Sequence, residues 1–386
     1  MFISFLYPFQ LRGRIAPYLW IAYKQITDLD PQELAFIASE DYFIDPAQFR
    51  QQNRFETSWP ENPELQFRVP NPDQLRSYRC YCISEGVYQR LKKRWISDAL
   101  IWKYLIQQVD EELVQRILAG IERLGEDGEV EALLTWCNFA SLKEAARRLG
   151  IPLIHAELGP LRYPAYKPLG YFDFSGVNGN TEAADRFQRY QAAEGEKPAP
   201  LKASQLLKLL SQVPKTQMTG KPDYEIGIPL QVEDDSNVLA YGRGFDLSLL
   251  LHYVLQEGGF RRILVRPHPG AYWSWERQGY DLDDSPGPWQ FIQRCRQILT
   301  LNSSLALEAM LAERPVVILG ESPARFAAGT ALGNFRRATE AELDFLLLHY
   351  FVPYRFLFQA AYLRWRLRRP SEQEIRERHL LAHEMA

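Results

Sequence analysis

Residues 131–157 read EALLTWCNFASLKEAARRLGIPLIHAE and contain a complete β-α-β unit. The short apolar run 131–137 predicts a buried strand, and the helical spacing of residues 141–149 ends at a glycine, as helices commonly do. A second apolar run over 152–157 predicts the next strand, and its last residue is Glu157. Since open parallel sheets bind ligands at the carboxyl ends of their strands, Glu157 is a candidate functional residue.

A second block of the same kind follows. Apolar runs predict strands at 224–232, 262–266, 298–301 and 315–319, with helices between them at 245–256, 289–296 and 305–312. Strands that alternate with helices of this length form parallel sheets. The sequence therefore predicts an α/β protein with one Rossmann-like domain over 1–215, a second over 216–340, and C-terminal helices over 341–386 that pack across both.

The segments around the first block are less regular. Residues 1–96 predict little beyond a strand at the N-terminus, and residues 99–124 have the apolar spacing of one long helix. Residues 158–181 predict a long loop rich in Gly, Pro and Tyr. A loop of this length inside a domain is usually functional or disordered, and its aromatic residues favour a functional one.

Composition and charge narrow the class of protein. A chain of 386 residues exceeds one ordinary core, and a net charge of -3 argues against a nucleic-acid partner. Four cysteines are too few for a secreted disulfide framework. No apolar run reaches the roughly 18 residues that a membrane span requires. We therefore expect a cytoplasmic protein. The arginines of the aromatic segment 340–369 suit a peripheral contact with the inner membrane, but helix packing against the other lobe is the favoured interpretation.

Polar residues follow three of the strands predicted in the second block. The first group is QVEDDSN over 231–237, whose Asp234 and Asp235 directly follow a buried strand. A carboxylate at such a strand end acts as a nucleophile or a base, or it caps the next helix. The sequence pattern alone favours neither interpretation.

The second group is RPHP over 266–269. The two prolines hold the backbone of His268 extended and fix the direction of its imidazole. A histidine presented in this way donates to a phosphate or a carboxylate. The alternative is a turn histidine that is bonded to local backbone, and the flanking prolines favour a functional one.

The third group is Asn302-Ser303-Ser304, which ends a strand and begins a helix. Hydroxyls and backbone N–H groups at such a position can hold a nucleotide phosphate, and Glu308, one turn later, can reach ribose hydroxyls. Taken alone, an ordinary N-cap with a surface Glu is the better interpretation. The aspartates at 28–30 and 281–284 are typical of turn caps, so no metal site is predicted.

Taken together, these motifs resemble those of bacterial Kdo transferases. QVEDDS (231–236), RPHP (266–269) and NSSLALEA (302–309) are similar to motifs of the capsule-synthesis type. The segment ELGPLR, residues 157–162, and the loop after it look closer to the retaining β-Kdo transferase module of O-antigen assembly, the WbbB type. The resemblance covers roughly residues 130–320.

The resemblance implies a GT-B-like, sialyltransferase-related fold that binds CMP-Kdo in its second lobe and an oligosaccharide acceptor in its first. It also implies a retaining reaction without a cofactor or metal. Double displacement needs a carboxylate nucleophile, for which Asp235 is the first candidate and Asp234 the second. Glu157 would then be the general base for the acceptor hydroxyl. Fusion or association with other glycosyltransferases is a further expectation.

The donor also needs anion-binding groups. By the same resemblance, His268 would hold the CMP phosphate or the sugar carboxylate while charge develops on the leaving group. Ser303 and Ser304, with Asn302 beside them, would hold the phosphate, and Glu308 the ribose. Arg162, Arg243 and Arg266 are candidates for the sugar carboxylate, and the sequence does not rank them.

Three alternatives use the same residues differently. A sialyltransferase would take another CMP-activated acidic sugar. A nucleotide-sugar epimerase or hydrolase would use the same anion site without a glycan acceptor, and turnover of the donor alone would favour it. A glycan-assembly subunit would bind without catalysis, and it would tolerate loss of the strand-end acids.

Overall fold

The computed structural model describes residues 1–6, 16, 18–51, 66–84, 86–126, 128–213, 221–271, 275 and 278–385. The predicted domain boundary at 215/216 lies outside these residues. In the described part the strands are β1 (Phe2–Leu6), β2 (Leu34–Ala38), β3 (Cys80–Cys82), β4 (Ala132–Thr135), β5 (Leu153–Leu158), β6 (Leu169–Asp173), β7 (Ile226–Pro229), β8 (Ile263–Arg266), β9 (Asp281–Leu282), β10 (Ile298–Thr300), β11 (Val316–Ile318) and β12 (Val352–Pro353).

The α-helices of the same residues are α1 (Leu19–Asp28), α2 (Pro46–Gln51), α3 (Pro72–Ser77), α4 (Gly86–Arg94), α5 (Asp98–Gln107), α6 (Glu111–Gly125), α7 (Ala140–Leu149), α8 (Ala183–Ala192), α9 (Ala203–Leu210), α10 (Ser236–Tyr241), α11 (Leu247–Glu257), α12 (Pro288–Arg294), α13 (Leu305–Leu311), α14 (Glu340–Asp344), α15 (Ala360–Leu367) and α16 (Glu372–Glu384). A π-helical turn over Phe345–Tyr350 continues α14.

The first sheet has the strand order β3-β2-β1-β4-β5-β6-β12. Parallel pairing joins β1 to β2 and to β4, while β12 is antiparallel to β6. Every residue of β1, β2 and β4 is buried, as expected of parallel strands that are covered on both faces. The order 3-2-1-4-5-6 is that of a doubly wound Rossmann sheet.

The second sheet has the order β11-β10-β7-β8-β9. Its strand pairs are all parallel, and the aliphatic side chains of its central strands pack against α11. The core includes Ile226, Ile228, Leu250, Val254, Leu299 and Val317, all fully buried. The predicted α/β class with parallel, Rossmann-like sheets is confirmed.

The chain divides into two compact units. The first contains Met1–Glu157, Phe172–Val177 and Arg355–Arg369, and the second contains Leu158–Tyr171, Asn178–Tyr354 and Pro370–Ala386. The C-terminal residues are therefore shared: α15 belongs to the first unit and α16 to the second. No helix in the described part of the chain is long and apolar enough to cross a membrane.

The prediction of one long helix over 99–124 is wrong. The chain forms α5 and then α6, because Gln108 is extended, with φ -121° and ψ 140°. Asp110 then begins the second helix, and its carboxylate accepts a hydrogen bond of 3.2 Å from the backbone N–H of Leu113. The periodicity continues across the break, so the apolar spacing did not reveal it.

The interpretation of 158–181 as a loop alone is also wrong. Residues Leu169–Asp173 form β6, a fully buried strand of the first sheet. Its sequence, LGYFD, contains a glycine and two aromatic residues, so it lacks the aliphatic run by which the other central strands were recognised. Pairing with neighbouring strands, rather than local sequence, makes this segment a strand.

The arginines of the C-terminal segment lie against the first unit. Arg364 makes ion pairs of 2.7 Å with Glu33 and 2.8 Å with Glu131. The guanidinium of Arg366 lies 4.2 Å from the centre of the Phe172 ring, and that of Arg369 lies 3.6 Å from the centre of the Phe174 ring. All of these contacts lie within the first unit.

A buried ionic network holds α16 in the second unit. Arg376 donates to both carboxylate oxygens of Asp344, at 2.7 and 3.0 Å. Arg186 makes the equivalent pair with Glu372, at 2.7 and 2.8 Å. The imidazole of His349, fully buried, lies 3.5 Å from Asp344 and 3.6 Å from Glu372. Burial by itself would raise the pKa of Asp344, but the nearby His349 imidazole and the hydrogen bonds from Arg376 lower that pKa overall.

We predict that Asp344→Ala destabilises the protein by about 3–5 kcal/mol, because it leaves the buried guanidinium of Arg376 without its counter-charge. Urea denaturation of the variant and the parent measures the difference. Glu377→Ala, on the exposed face of α16, serves as the control and should change stability by less than about 0.5 kcal/mol. Equal stability losses in the two variants would contradict the prediction.

Candidate functional site

The second sheet reverses its strand order between β7 and β10. From β7 the chain builds outward to β8 and β9 on one side, then returns to add β10 and β11 on the other. In such sheets the crevice at the carboxyl ends of the two strands that flank the reversal is the usual ligand site. The segments that follow β7, β8 and β10 carry the predicted Asp234/Asp235, His268 and Ser303/Ser304 respectively. The fold therefore brings these three segments to one edge of the sheet.

The two aspartates after β7 have different environments. Asp235 is the N-cap of α10, and its Oδ1 accepts a hydrogen bond of 2.8 Å from the backbone N–H of Asn237. Asp234 is half-buried and its Oδ1 is shielded from solvent. The capping role that the sequence left open for this pair is thus occupied by Asp235.

The imidazole of His268 is oriented by its own turn. The backbone N–H of Gly270 donates to His268 Nδ1 at 3.0 Å. A backbone N–H can only donate, so Nδ1 is an acceptor and carries no proton. In the neutral ring the proton is therefore on Nε2, the nitrogen directed away from the turn. This arrangement makes His268 a hydrogen-bond donor through Nε2.

Asn302, which follows β10, is bonded to the start of α10. Its side-chain Nδ2 donates to the backbone carbonyl of Asn237 at 2.8 Å. This bond fixes the orientation of the Asn302 amide. The Oδ1 of the same amide is buried and has no hydrogen-bond donor among the described residues. Gln231, after β7, likewise has a buried Oε1 with no hydrogen-bond donor among the described residues. Gln231 and Asn302 are each only 8% exposed. Buried acceptors are normally satisfied, so these two amides are suited to accept hydrogen bonds from a ligand or from bound water.

The serines after β10 begin α13. Ser303 Oγ accepts a hydrogen bond of 3.3 Å from the backbone N–H of Leu305. Ser304 is the N-cap of the helix, but its side chain makes no capping hydrogen bond and is exposed. The two hydroxyls therefore differ: that of Ser303 supports the turn, whereas that of Ser304 faces solvent.

The carboxylate of Glu308 is held by a residue that the sequence analysis missed. Tyr166 donates its hydroxyl to Glu308 Oε2 at 2.7 Å, and its side chain is 2% exposed. Burial and the charge of Glu308 raise the pKa of Tyr166 above its usual range, so the phenol stays protonated as a donor. Tyr166 comes from the segment 158–181, whose tyrosines were the only signal of such a role.

Arg266 is engaged in a structural ion pair. Its guanidinium contacts the carboxylate of Asp283, which is fully buried, and donates to the carbonyl of Ser285 at 3.1 Å. Arg294 contacts the other oxygen of Asp283, also at 3.1 Å. Arg162 donates to the carbonyl of Gly159 at 3.0 Å. Arg243, the third arginine proposed for the sugar carboxylate, is exposed and makes no ion pair with a described residue.

Glu157 lies in the first unit, at the carboxyl end of β5, where it is half-buried. Cys137 and Tyr18 lie close enough to feel its charge. Burial raises the pKa of Cys137 to about 12, with a further contribution from the charge of Glu157. Burial likewise raises the pKa of Tyr18 far above its usual value, as do the charges of Cys137 and Glu157. Cys137 and Tyr18 therefore stay protonated beside Glu157.

A family comparison identifies the N-terminal part. Residues 4–182 match the family described as "Glycosyltransferase 99 family N-terminal domain". This part of the chain is similar to a glycosyltransferase N-terminal domain. The match confirms the sequence-based prediction of a glycosyltransferase family, and it includes Glu157 and Tyr166. The second sheet and its polar strand ends lie beyond the matched residues.

Solved structures resemble the chain at low identity. The "beta Kdo 2,7 transferase" of Thermosulfurimonas dismutans KpsC is 16% identical over 62% of this chain and 82% of that one, with a TM-score of 0.43. A UDP-GlcNAc 2-epimerase from Methanocaldococcus jannaschii is 12% identical over 90% of this chain and 98% of that one, with a TM-score of 0.30. No curated protein sequence matches the chain.

We predict that Asp235→Ala lowers the free energy of unfolding by about 1 kcal/mol, because α10 loses its cap. Asp235→Asn should retain most of this stability, since an amide oxygen caps as well as a carboxylate. Chemical denaturation measures both. Asp246→Ala, which removes the equivalent cap of α11, is the reference for the size of the loss. If Asp235→Asn is as unstable as Asp235→Ala, the charge and not the cap stabilises this turn.

Proposed function

We propose that this protein is a retaining β-Kdo transferase that moves Kdo from CMP-β-Kdo to a glycan acceptor of the O-antigen or capsule type. One observation carries the proposal: acids, a histidine donor and serines follow three adjacent strands at the reversal point of the second sheet. The glycosyltransferase family match supports the general activity. The motifs QVEDDS, RPHP and NSSLALEA support the choice of donor.

The first chemical step transfers Kdo to the enzyme. A carboxylate oxygen of Asp235 attacks the anomeric carbon as the bond to the phosphate oxygen breaks, and CMP leaves with the electron pair of that bond. His268 Nε2–H donates to the phosphate or to the sugar carboxylate as negative charge develops. Asp234 is the alternative nucleophile. The product of this step is an ester between Kdo and the aspartate.

The second step transfers Kdo to the acceptor. Glu157 accepts the proton of an acceptor hydroxyl while the oxygen of that hydroxyl attacks the anomeric carbon. The ester bond between Kdo and the aspartate breaks in the same step. Two inversions give net retention. In this mechanism the enzyme needs neither a cofactor nor a metal. Membrane contact and association with other glycosyltransferases remain predictions.

The remaining residues position the donor. Ser303 and Ser304 are proposed to bind the phosphate and Glu308 the ribose, with Tyr166 orienting the Glu308 carboxylate. The two buried amide oxygens, Gln231 Oε1 and Asn302 Oδ1, are suited to accept hydrogen bonds from hydroxyl or amino groups of CMP-Kdo. A ligand that supplies those hydrogen bonds satisfies groups that the described part of the protein leaves unpaired, which favours binding.

We predict that the protein gains the mass of one Kdo residue when it is incubated with freshly generated CMP-Kdo in the absence of acceptor. Asp235→Asn should show no adduct, because an amide is not a nucleophile at this carbon. Intact-protein mass spectrometry measures the gain. The cap is retained in Asp235→Asn, so a missing adduct reports chemistry and not unfolding.

The matched variant Asp234→Asn distinguishes the two acids. An adduct that disappears only in Asp234→Asn moves the nucleophile to that residue. Absence of any adduct, together with no CMP release when candidate acceptors are added, contradicts the Kdo-transferase proposal. CMP release without acceptor, in place of transfer, would favour the hydrolase alternative.

We predict that His268→Gln keeps more transfer activity than His268→Asn or His268→Ala. The amide nitrogen of glutamine reaches the position of Nε2, whereas that of asparagine reaches only that of Nδ1. Loss of the donor should lower kcat by about 100-fold or more. Steady-state CMP release with acceptor present measures the three variants. If asparagine restores activity better than glutamine, Nε2 is not the functional donor.

A further inference from the structure

Two arginines lie in segments at the same edge of the sheet as the site residues. Arg243 follows α10, and Arg325 lies in the segment after β11. Neither makes an ion pair with any residue that the structure describes, and the Nε of Arg325 is buried without a hydrogen-bond acceptor among those residues. Other arginines of this unit, Arg266, Arg294 and Arg376, all pair with carboxylates.

Backbone contacts bring the two segments together. The N–H of Glu321 donates to the carbonyl of Tyr241 at 2.9 Å, and the N–H of Gly320 donates to the carbonyl of Leu301 at 2.7 Å. The segment after β11 is thus bonded both to the end of α10 and to the end of β10. A Cβ on Gly320 would lie 2.8 Å from the Tyr241 carbonyl, so the approach requires glycine.

The surroundings of Arg325 disfavour its positive charge and would favour a bound anion. Burial lowers the pKa of its guanidinium, and the nearby charge of Arg243 lowers that pKa further. The carboxylate of Glu321 acts in the opposite direction, but it accepts a hydrogen bond from the backbone N–H of Asn180 and makes no ion pair with Arg325. A bound anion would relieve the repulsion between the two arginines.

We propose that Arg325, together with Arg243, binds the carboxylate of the acidic sugar in the donor. A planar guanidinium can hold a carboxylate by two parallel hydrogen bonds. The inference rests on the proposed function and makes it more specific, because it assigns recognition of the sugar's acidic group to a residue outside the sequence motifs. It also separates Arg243 from Arg162 and Arg266, whose guanidiniums are bonded to protein groups.

The test compares two ligands that differ in this carboxylate. Freshly prepared CMP-Kdo carries both the phosphate and the sugar carboxylate, whereas CMP carries the phosphate alone. Arg325→Gln should raise the Kd of CMP-Kdo by about 10- to 100-fold and leave the Kd of CMP within about 3-fold. Arg325→Lys, which keeps the charge without the planar fork, should lose less affinity.

Arg296→Gln is the matched control. This exposed arginine precedes β10 at the opposite edge of the same sheet, so its loss changes the net charge equally without touching the site. Its affinity for both ligands should stay at the parent value. If Arg325→Gln fails to fold, Arg243→Gln provides a second measurement. It should lose affinity for CMP-Kdo only, and by a smaller factor.

Each outcome has one meaning. Equal loss of affinity for CMP and CMP-Kdo places the guanidinium on the phosphate and overturns the inference. Unchanged affinity for both ligands in Arg325→Gln also overturns it. If the parent protein binds neither ligand, the proposed function itself fails, and this inference fails with it. If the unsubstituted protein binds CMP as tightly as CMP-Kdo, or more tightly, the sugar carboxylate is not recognised. That result overturns this inference and leaves the proposed function standing.

Discussion

The hydrogen bond from Asn302 Nδ2 to the carbonyl of Asn237 ties the end of β10 to the start of α10, where the second sheet reverses its strand order. The candidate site depends on this constraint. It fixes the end of β10, where the serines and Glu308 follow, against the start of α10, where Asp235 serves as cap. Because the bond uses the amide nitrogen, it leaves the buried oxygen of Asn302 for a ligand. One side chain thus stabilises the edge and contributes an acceptor to it.

The charges of the second unit fall into two groups with different roles. Arg186, Arg376, Glu372 and Asp344 are paired in a buried network around His349, and they hold α16. Arg243 and Arg325 lie at the edge of the sheet and have no such partner among the described residues. A buried ion pair stabilises only when both members are present, so structural arginines are expected to be paired. Arginines that lie near a crevice and make no ion pair with a carboxylate are better explained by an anionic ligand.

Much of the fold could be predicted from local patterns. Strands β7, β8, β10 and β11 of the second sheet are aliphatic runs bounded by turn residues, and each was recognised to within a few residues. β6 was not, because its stability comes from neighbouring strands and its own residues are aromatic and glycine. The break between α5 and α6 was also missed, since a capping aspartate inside a continuous apolar period resembles a surface residue. Site residues at strand ends could be named, but their partners could not.

The sequence by itself determined the α/β class, the strand ends that carry Glu157, Asp234, Asp235, His268 and the serines, and the resemblance to glycosyltransferases that the family match supports. These features follow from short-range spacing, which sets secondary structure and which face or end a residue occupies. Only the tertiary structure decided that Tyr166 holds Glu308, that Asp283 occupies Arg266, and that Arg325 lies beside Arg243. These pairs join residues from 17 to 142 positions apart, and such contacts depend on how the strands and helices pack, which local spacing does not encode.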